Sequence, residues 1–189
     1  RLARLGVHSY LLSHLIGEPV DLAWSDERLK QRFEGLERTY PKLYDDAKHC
    51  IYGTNYGMRP RTMAEIYGMT EKHARDTQSK YFALFPKIKA WQDRTVTAAH
   101  KQCFLRNPYN YRMWFWDVVH WDSRRGCEVW GEDAKSALSF LPRDTAAGML
   151  KDAILRLKDL AYSGHMLACA HDSLLFCLPA DDLRPIALR

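Results

Sequence analysis

The hydrophobic periodicity of this chain changes near residue 103, and that change constrains the fold more than any other feature of the sequence. Over about 1–102, apolar residues recur at helical spacing, and Ser25 and Thr70 stand where N-capping residues belong. Beyond that region, "CFLRNPYNYRMWFW" is rich in residues that favour strands and contains the turn signal "NPYN". The pattern predicts a helical block over about 1–102, followed by an α+β block over about 103–189.

Each block divides into predicted elements. Caps and prolines predict helices over about 2–16, from Ser25 onward, over about 40–54, in "RTMAEIYG", from Thr70 to Phe85, and from Pro86 to about 101. The second block should hold a hairpin (103–107 and 110–116), a loop (117–130), a helical region over about 131–162 broken near Pro142, and a final hairpin. The predicted fold class is α+β, mainly helical.

Composition narrows the class of protein. Hydrophobic residues make up 47% and charged residues 27% of the 189, close to an ordinary globular protein. No run of about 18 apolar residues is present, so we expect no membrane span. The five cysteines are scattered and form no CxxC pair, which favours a reduced, intracellular compartment. A net charge of +5 permits an acidic partner such as nucleic acid but does not require one.

Lys48, Tyr52 and Tyr56 recur every fourth residue in "DAKHCIYGTNYGM", and Gly57 follows them. At 3.6 residues per turn this spacing aligns the three side chains along one side of a helix. An ammonium followed by two aromatic rings suits a phosphate at one end and a sugar and base at the other. The tyrosines also suit a hydrophobic core, with the lysine stem lying over them. The spacing alone leaves both interpretations open.

A second motif lies in "HMLACAHDSLLFCL", where two apolar runs flank His171, Asp172 and Ser173. The pattern predicts a hairpin with Asp172 at its tip. A carboxylate held there by rigid strands is a suitable ligand for a hard cation such as Mg²⁺. Aspartate is also common in turns for purely local reasons. The tripeptide by itself leaves this choice open.

Taken together, the two motifs resemble the family A DNA polymerases, the group of bacterial DNA polymerase I and its phage relatives. Residues 48–57, "KHCIYGTNYG", are similar to that family's K-x3-[F/Y]-x3-YG pattern, and "HDSLLF" is similar to its third palm motif. Further similarity runs in order through "GVHSYLLSHLIGEPVD", "KYFALFPKIKAWQDR" and "LPRDTAAGMLKDAILRL". The resemblance implies a fingers subdomain over 1–102, with a nucleotide-binding helix at about 40–56, and part of an antiparallel palm sheet over 103–189.

The resemblance also implies roles for individual residues. Lys48 would contact the incoming triphosphate, Tyr52 would lie by the sugar, and Tyr56 with Gly57 would shape the insertion site. A tyrosine at position 52, rather than phenylalanine, is associated in the family with tolerance of dideoxynucleotides. Asp172 would hold part of a pair of Mg²⁺ ions, and His171 would lie beside the primer terminus. The implied reaction is attack of a primer 3′-OH on the α-phosphorus of a dNTP. The candidate contacts to primer–template DNA are Arg112, Lys135, Ser139 and Arg143.

The sequence departs from the family pattern at several positions. Tyr44 replaces the arginine expected four residues before Lys48, and Ser173 replaces the usual glutamate. Ser139 and Arg143 stand where polymerase I-like chains carry asparagine and glutamine. No match to the first carboxylate motif is found within 1–38, so we expect the second metal-binding carboxylate to lie outside this chain. On that basis, the isolated chain should not extend primers.

Two other functions remain open at this stage. A single-subunit, phage-type RNA polymerase shares the lysine and Tyr-Gly spacing, but the aromatic residue at position 52 favours DNA synthesis. A degenerate polymerase fold could grip primer–template without chemistry, although retention of Lys48 and Asp172 argues against it. For the DNA polymerase we expect a monomer in the cytoplasm of a bacterial or phage-infected cell, with an organelle as the alternative.

Overall fold

The computed structural model describes residues 1–158, 163–170 and 173–178. The helices are α1 Leu2–Leu5, α2 Val7–Leu15, α3 Asp26–Thr39, α4 Pro41–Asn55, α5 Pro60–Tyr67, α6 Glu71–Leu84, α7 Pro86–Gln102 and α8 Asp133–Lys158, with a 3-10 turn at Ser163–His165. The strands are β1 Phe104–Arg106, β2 Arg112–Trp114, β3 Val119–Asp122, β4 Cys127–Trp130, β5 Met166–Ala170 and β6 Ser173–Phe176. The prediction of an α+β, mainly helical fold is confirmed.

The chain forms two compact units. The first consists of Arg1–Cys103 and Phe115–Leu138, and the second of Phe104–Trp114 and Ser139–Arg189. Within the described residues, the strands pair as antiparallel β1–β2, β3–β4 and β5–β6. No helix in these parts of the chain has the length and apolar character needed to cross a membrane.

Three clusters of buried residues in the first unit share helices. Leu12 of α2 packs with Leu29 and Phe33 of α3. Leu11, on the other side of α2, packs with residues of α4 and α6: Ala47, Ile51 and Tyr81. The third cluster joins α4, α5 and α6 through Cys50, Met63 and Ala74. Helix α4 supplies buried residues to the second and third clusters and packs Tyr44 against the first, and this packing fixes which of its faces remains exposed.

Local sequence signals explain where three helices of this unit, α3, α6 and α7, begin. The hydroxyl of Ser25 accepts a hydrogen bond from the N–H of Arg28, and that of Thr70 accepts one from the N–H of His73. Pro86 occupies the first turn of α7, where no N–H is needed. The single helix predicted over about 2–16 is wrong, because Gly6 adopts φ +137° and separates α1 from α2.

The prediction of a loop over 117–130 is also wrong. Strands β3 and β4 pair from Val119 opposite Trp130 to Asp122 opposite Cys127. The carboxylate of Asp122 accepts hydrogen bonds from the N–H groups of Arg124 and Arg125, at 2.9 and 3.3 Å. This side chain stabilises a tight turn, and the turn allows two short strands of mixed composition to pair.

Helix α8 continues through Pro142, so the predicted break there is wrong. A proline inside a helix removes one backbone hydrogen bond and costs about 3 kcal/mol. Burial of residues before and after the proline offsets this cost: Leu138 and Phe140 are buried before Pro142, and Gly148 is buried after it. At the helix start, Asp133 Oδ2 accepts hydrogen bonds from the N–H groups of Trp116 and Asp117.

Both predicted hairpins of the second unit are confirmed, although their strands are shorter than expected. Strands β1 and β2 pair Phe104 with Trp114 and Arg106 with Arg112. Strands β5 and β6 pair up to Ala170 opposite Ser173. His171 and Asp172, the residues of the predicted tip, lie outside the described residues.

Candidate nucleotide-binding site

The outer face of α4 carries the lysine and tyrosine stripe. Lys48 is exposed, Tyr52 is 51% exposed and Tyr56 is 40% exposed. The inner face of the same helix is buried through Ala47, Ile51 and their neighbours, so the helix cannot rotate to hide the tyrosines. The interpretation of the two tyrosines as core aromatics is wrong, and the stripe is accessible to a ligand.

The helix ends just before the last member of the stripe. Helix α4 ends at Asn55, and Gly57 adopts φ +73°, in the left-handed region that glycine tolerates best. The N–H of Met58 donates to the carbonyl of Gly53 at 2.8 Å and closes the helix end. A Cβ on Gly57 would lie 2.9 Å from Cζ3 of Trp130 and 3.0 Å from Cδ1 of Leu138. Both backbone angle and space therefore require glycine after Tyr56.

A network of hydrogen bonds from buried and partly buried side chains stabilises the C-terminal end of α4. The amide nitrogen of Gln92, whose residue is 2% exposed, donates to the carbonyl of Thr54. Gln78 donates to the Thr54 hydroxyl at 3.1 Å and to the carbonyl of Met58 at 3.0 Å. The hydroxyl of Tyr81 donates to Asn55 Oδ1 at 2.8 Å. These bonds satisfy groups that a helix C-terminus leaves unpaired, and they fix the position of the turn that carries Tyr56.

His8, on α2, joins the stripe from a neighbouring helix. Its ring centroid lies 5.6 Å from that of Tyr52 and 6.0 Å from that of Tyr44. Burial, and next the ammonium of Lys48, lower the pKa of His8 from its ordinary value. Sequence reasoning missed this residue, because His8 interrupts an apolar helical face and carries no spacing signal that relates it to α4.

Tyr44, which replaces the expected arginine, supplies no positive charge to the stripe. It packs against the cluster of Leu12 and Phe33, and burial raises its pKa, so it is a neutral phenol at ordinary pH. Lys42 lies with Asp46 and His73 along a different cavity. The nearby cation on the same helix is therefore not a substitute for the arginine.

A cavity of about 450 Å³ opens where Gly57 follows the stripe. Arg59, Lys135, His120 and Trp130 line it together with Gly57. This cavity places the predicted DNA contact Lys135 near the C-terminal end of α4, within the first unit. Its two cations and its indole are groups that bind phosphates and stack on bases.

The other predicted DNA contacts lie in the second unit. The guanidinium of Arg112 lies over the rings of Phe104 and Trp114, at 4.5 and 5.4 Å from their centroids. Ser139 and Arg143 lie one turn apart on α8, and Arg143 is exposed. The structure thus brings Lys48, Tyr52, Tyr56 and Gly57 together, and it carries Arg112, Ser139 and Arg143 on a separate unit.

The predicted metal ligand Asp172 and its neighbour His171 lie outside the described residues. Elsewhere in the described ranges, no group of three or more histidine, cysteine or acidic side chains is arranged to hold a metal. The chemistry of Asp172 fits Mg²⁺, which prefers carboxylate oxygens and commonly takes only one or two of them from a protein. The described strands β5 and β6 flank this position.

Comparison with known proteins relates this geometry to a family. The DNA polymerase family A model matches residues 30–188. The thermostable DNA polymerase I of Thermus filiformis is 28% identical over 145 residues, which cover 75% of this chain and 17% of that protein. The DNA polymerase I of Lactococcus lactis subsp. lactis (strain IL1403) is 26% identical over 162 residues, 82% of this chain and 18% of the relative. The chain therefore spans less than a fifth of the length of these relatives.

A solved structure shares the fold. The POL domain of Pol1 from M. smegmatis, in complex with DNA primer-template and dNTP, superposes with a TM-score of 0.69. The alignment covers 96% of this chain and 29% of that one at 19% sequence identity. With the family match over residues 30–188, these comparisons show that the chain belongs to DNA polymerase family A.

Proposed function

We propose that the intact protein containing this chain carries out template-directed DNA synthesis, adding deoxynucleotides to a primer 3′-OH. The observation that carries the proposal is the exposed stripe of Lys48, Tyr52 and Tyr56 on a helix whose opposite face is buried. Membership of DNA polymerase family A supports this function, as does the fold shared with a polymerase domain bound to primer-template and dNTP. In this proposal, 1–102 are fingers and 103–189 are part of the palm.

In this proposal, different residues of the stripe contact the phosphates, the sugar and the base of a nucleoside triphosphate. Lys48 would meet the triphosphate as a point charge, and the His8 imidazole lies 5.6 Å from the ring of Tyr52 on the same stripe. Tyr52 would contact the sugar, and Tyr56 would stack near the nascent base pair. Gly57 and the hydrogen bonds beneath it hold Tyr56 in place before the substrate arrives, so little ordering remains to be done on binding.

Asp172 would supply a carboxylate oxygen to Mg²⁺, in keeping with a two-metal mechanism. The ion, when bound, supplies positive charge to the oxygens of the transferring phosphoryl group. His171 would position the primer terminus beside it. The protein's own part in such a reaction is to orient the primer 3′-OH and the triphosphate and to exclude competing geometries.

Contacts to the DNA backbone complete the proposal. Arg112, Lys135 and Arg143 would neutralise phosphates, and Ser139 would donate a hydrogen bond to the duplex. An arginine near the minor groove finds acceptors at every base pair, so these contacts would follow duplex shape without selecting a sequence.

The test is single-nucleotide incorporation by the intact protein on a DNA primer–template with Mg²⁺, comparing deoxynucleotides with ribonucleotides. We expect deoxynucleotide addition that is lost in Asp172→Ala. A preference for ribonucleotides would overturn the proposal in favour of RNA synthesis. Tight primer–template binding without incorporation would replace it with a fold that grips DNA and performs no chemistry.

A further inference from the structure

Asn107 is a buried polar residue that the proposed function leaves without a role. It is 4% exposed and lies in the turn between β1 and β2. Its Oδ1 accepts hydrogen bonds from the N–H groups of Tyr109 and Tyr111, both at 2.9 Å. Its Nδ2 donates to Asp144 on α8, at 2.6 Å to Oδ2 and 3.3 Å to the carbonyl. The oxygen of the amide is therefore bonded within the turn, and its nitrogen is bonded to a helical residue 37 positions along the chain.

Two further contacts join the same turn to the same face of α8. The ring of Tyr109 lies directly on the backbone of Gly148, where any added Cβ would overlap it. The ammonium of Lys151 lies 4.7 Å from the centroid of the Tyr111 ring. Asp144, Gly148 and Lys151 follow one another at helical spacing, so the turn packs along a single stripe of the helix.

The surface that this contact creates is cationic and aromatic. Arg112 lies over the rings of Phe104 and Trp114, and Lys151 lies over that of Tyr111. Tyr111 and Trp114 are close to half exposed. Asp144 is the acidic residue at the junction of the hairpin with α8, and its Oδ2 accepts a hydrogen bond from the neutral amide of Asn107. Cations beside exposed rings, with the nearby acid occupied, suit a nucleic-acid backbone.

We infer that Asn107 is a positioning residue for DNA binding: it fastens the β1–β2 hairpin to α8, so that Arg112, Lys151 and Arg143 meet the primer–template as one surface. This inference rests on the proposed function. It assigns no contact with DNA to Asn107 itself. The residue acts by fixing the hairpin and by keeping the Asp144 carboxylate turned away from the phosphates.

The test exchanges the two partners in the intact protein. Asn107→Asp sets two carboxylates against each other, so it should release the hairpin and expose both charges. The double variant Asn107→Asp/Asp144→Asn restores a donor and an acceptor, since an asparagine at 144 donates to the carboxylate at 107. The double variant also has the net charge of the wild type. Asn110→Asp is the matched control, because it adds the same charge to the same turn at a side chain whose hydrogen-bond partner is Arg106 rather than Asp144.

The readout is the affinity for a DNA primer–template, measured by fluorescence anisotropy over a range of salt concentrations. We expect Asn107→Asp to weaken binding roughly tenfold and to reduce the salt slope by about 1, as the loss of a phosphate contact does. Asn110→Asp should show a smaller loss, and the double variant should return to wild-type affinity. The apparent affinity for dNTP in pre-bound complexes should be the same in all four proteins.

A second variant reaches the same hairpin by another route. Gly148→Ala adds a methyl group under Tyr109 without changing charge or the Asn107 amide. It should weaken DNA binding while circular dichroism shows the wild-type helix content, and it carries the test if Asn107→Asp does not fold. Wild-type DNA affinity in Asn107→Asp and Gly148→Ala, or no recovery in the double variant, would overturn the inference and leave the proposed function intact. No DNA binding by the wild type would overturn both.

Discussion

Replacing Gly57 by alanine tests how closely the end of α4 is built around the stripe. The backbone at Gly57 has φ +73°, and an alanine Cβ would lie 2.9 Å from Trp130 and 3.0 Å from Leu138. Left-handed backbone costs an L residue about 1–2 kcal/mol, and forced overpacking costs about 1–3 kcal/mol. We therefore expect Gly57→Ala to lower the free energy of unfolding by about 2–5 kcal/mol.

Alanine variants at two other glycines distinguish the backbone contribution to the loss of stability from the packing contribution. Gly68 has a similar φ of +67° but no atom within 4 Å of an added Cβ, so Gly68→Ala should show only the backbone part, about 1–2 kcal/mol. Gly35 lies inside α3 with open space around it, and Gly35→Ala should increase stability by up to about 1 kcal/mol.

Urea denaturation of the intact protein, followed by tryptophan fluorescence, measures all three variants, and Trp130 itself reports on the contact. A loss for Gly57→Ala no larger than that for Gly68→Ala would refute the packing argument. It would mean that Trp130 and Leu138 can move away, and that the position of Tyr56 is set less tightly than the structure indicates.

Three further predictions concern single side chains around α4. Tyr52→Phe should reduce acceptance of dideoxynucleotides relative to deoxynucleotides by roughly fivefold, the value of one hydroxyl contact of about 1 kcal/mol, in a competition assay; equal acceptance would contradict the role of the hydroxyl. Because the pKa of His8 is lowered in the folded protein, the unfolded state binds a proton at this imidazole more readily as the pH falls below about 6.5, and the free energy of unfolding should decrease there. Denaturation at a series of pH values should show a weaker dependence of the free energy of unfolding on pH in His8→Gln than in the wild type. Burial raises the pKa of Cys50 to about 11, so a thiol reagent at about pH 8 should modify exposed Cys127 and leave Cys50 unmodified until the protein unfolds; early modification of Cys50 would show that this core opens.

Local sequence signals were sufficient for much of the helical part. Ser25, Thr70 and Pro86 each act through the few residues that follow them, so the helices they begin could be predicted without knowledge of the tertiary structure. The helix break at Gly6 could not be predicted, because a single glycine inside an apolar helical pattern weakens a helix without necessarily ending it. Its break depends on the approach of Phe33 from α3, which lies 3.2 Å from the position of an added Cβ.

The interactions that position the site cross long stretches of sequence. Gln92 reaches the end of α4 over 38 residues, and Asn107 reaches Asp144 over 37. Each looks like an ordinary polar residue in its own segment, since its partner is chosen by tertiary packing. The stripe itself was predicted because Lys48, Tyr52 and Tyr56 lie within one short segment, but its exposure depended on which face of α4 the rest of the unit covers.

The most direct test of the central claim is the apparent affinity for dNTP during single-nucleotide incorporation by Lys48→Ala, with Lys42→Ala as its control. Both lysines lie on α4, but Lys42 lines a different cavity. A lost charge-assisted contact of about 1.5–3 kcal/mol predicts that Lys48→Ala weakens dNTP binding roughly 10- to 100-fold, whereas Lys42→Ala matches the wild type. Equal effects of the two variants, or none from Lys48→Ala, would contradict the assignment of this stripe as the nucleotide site.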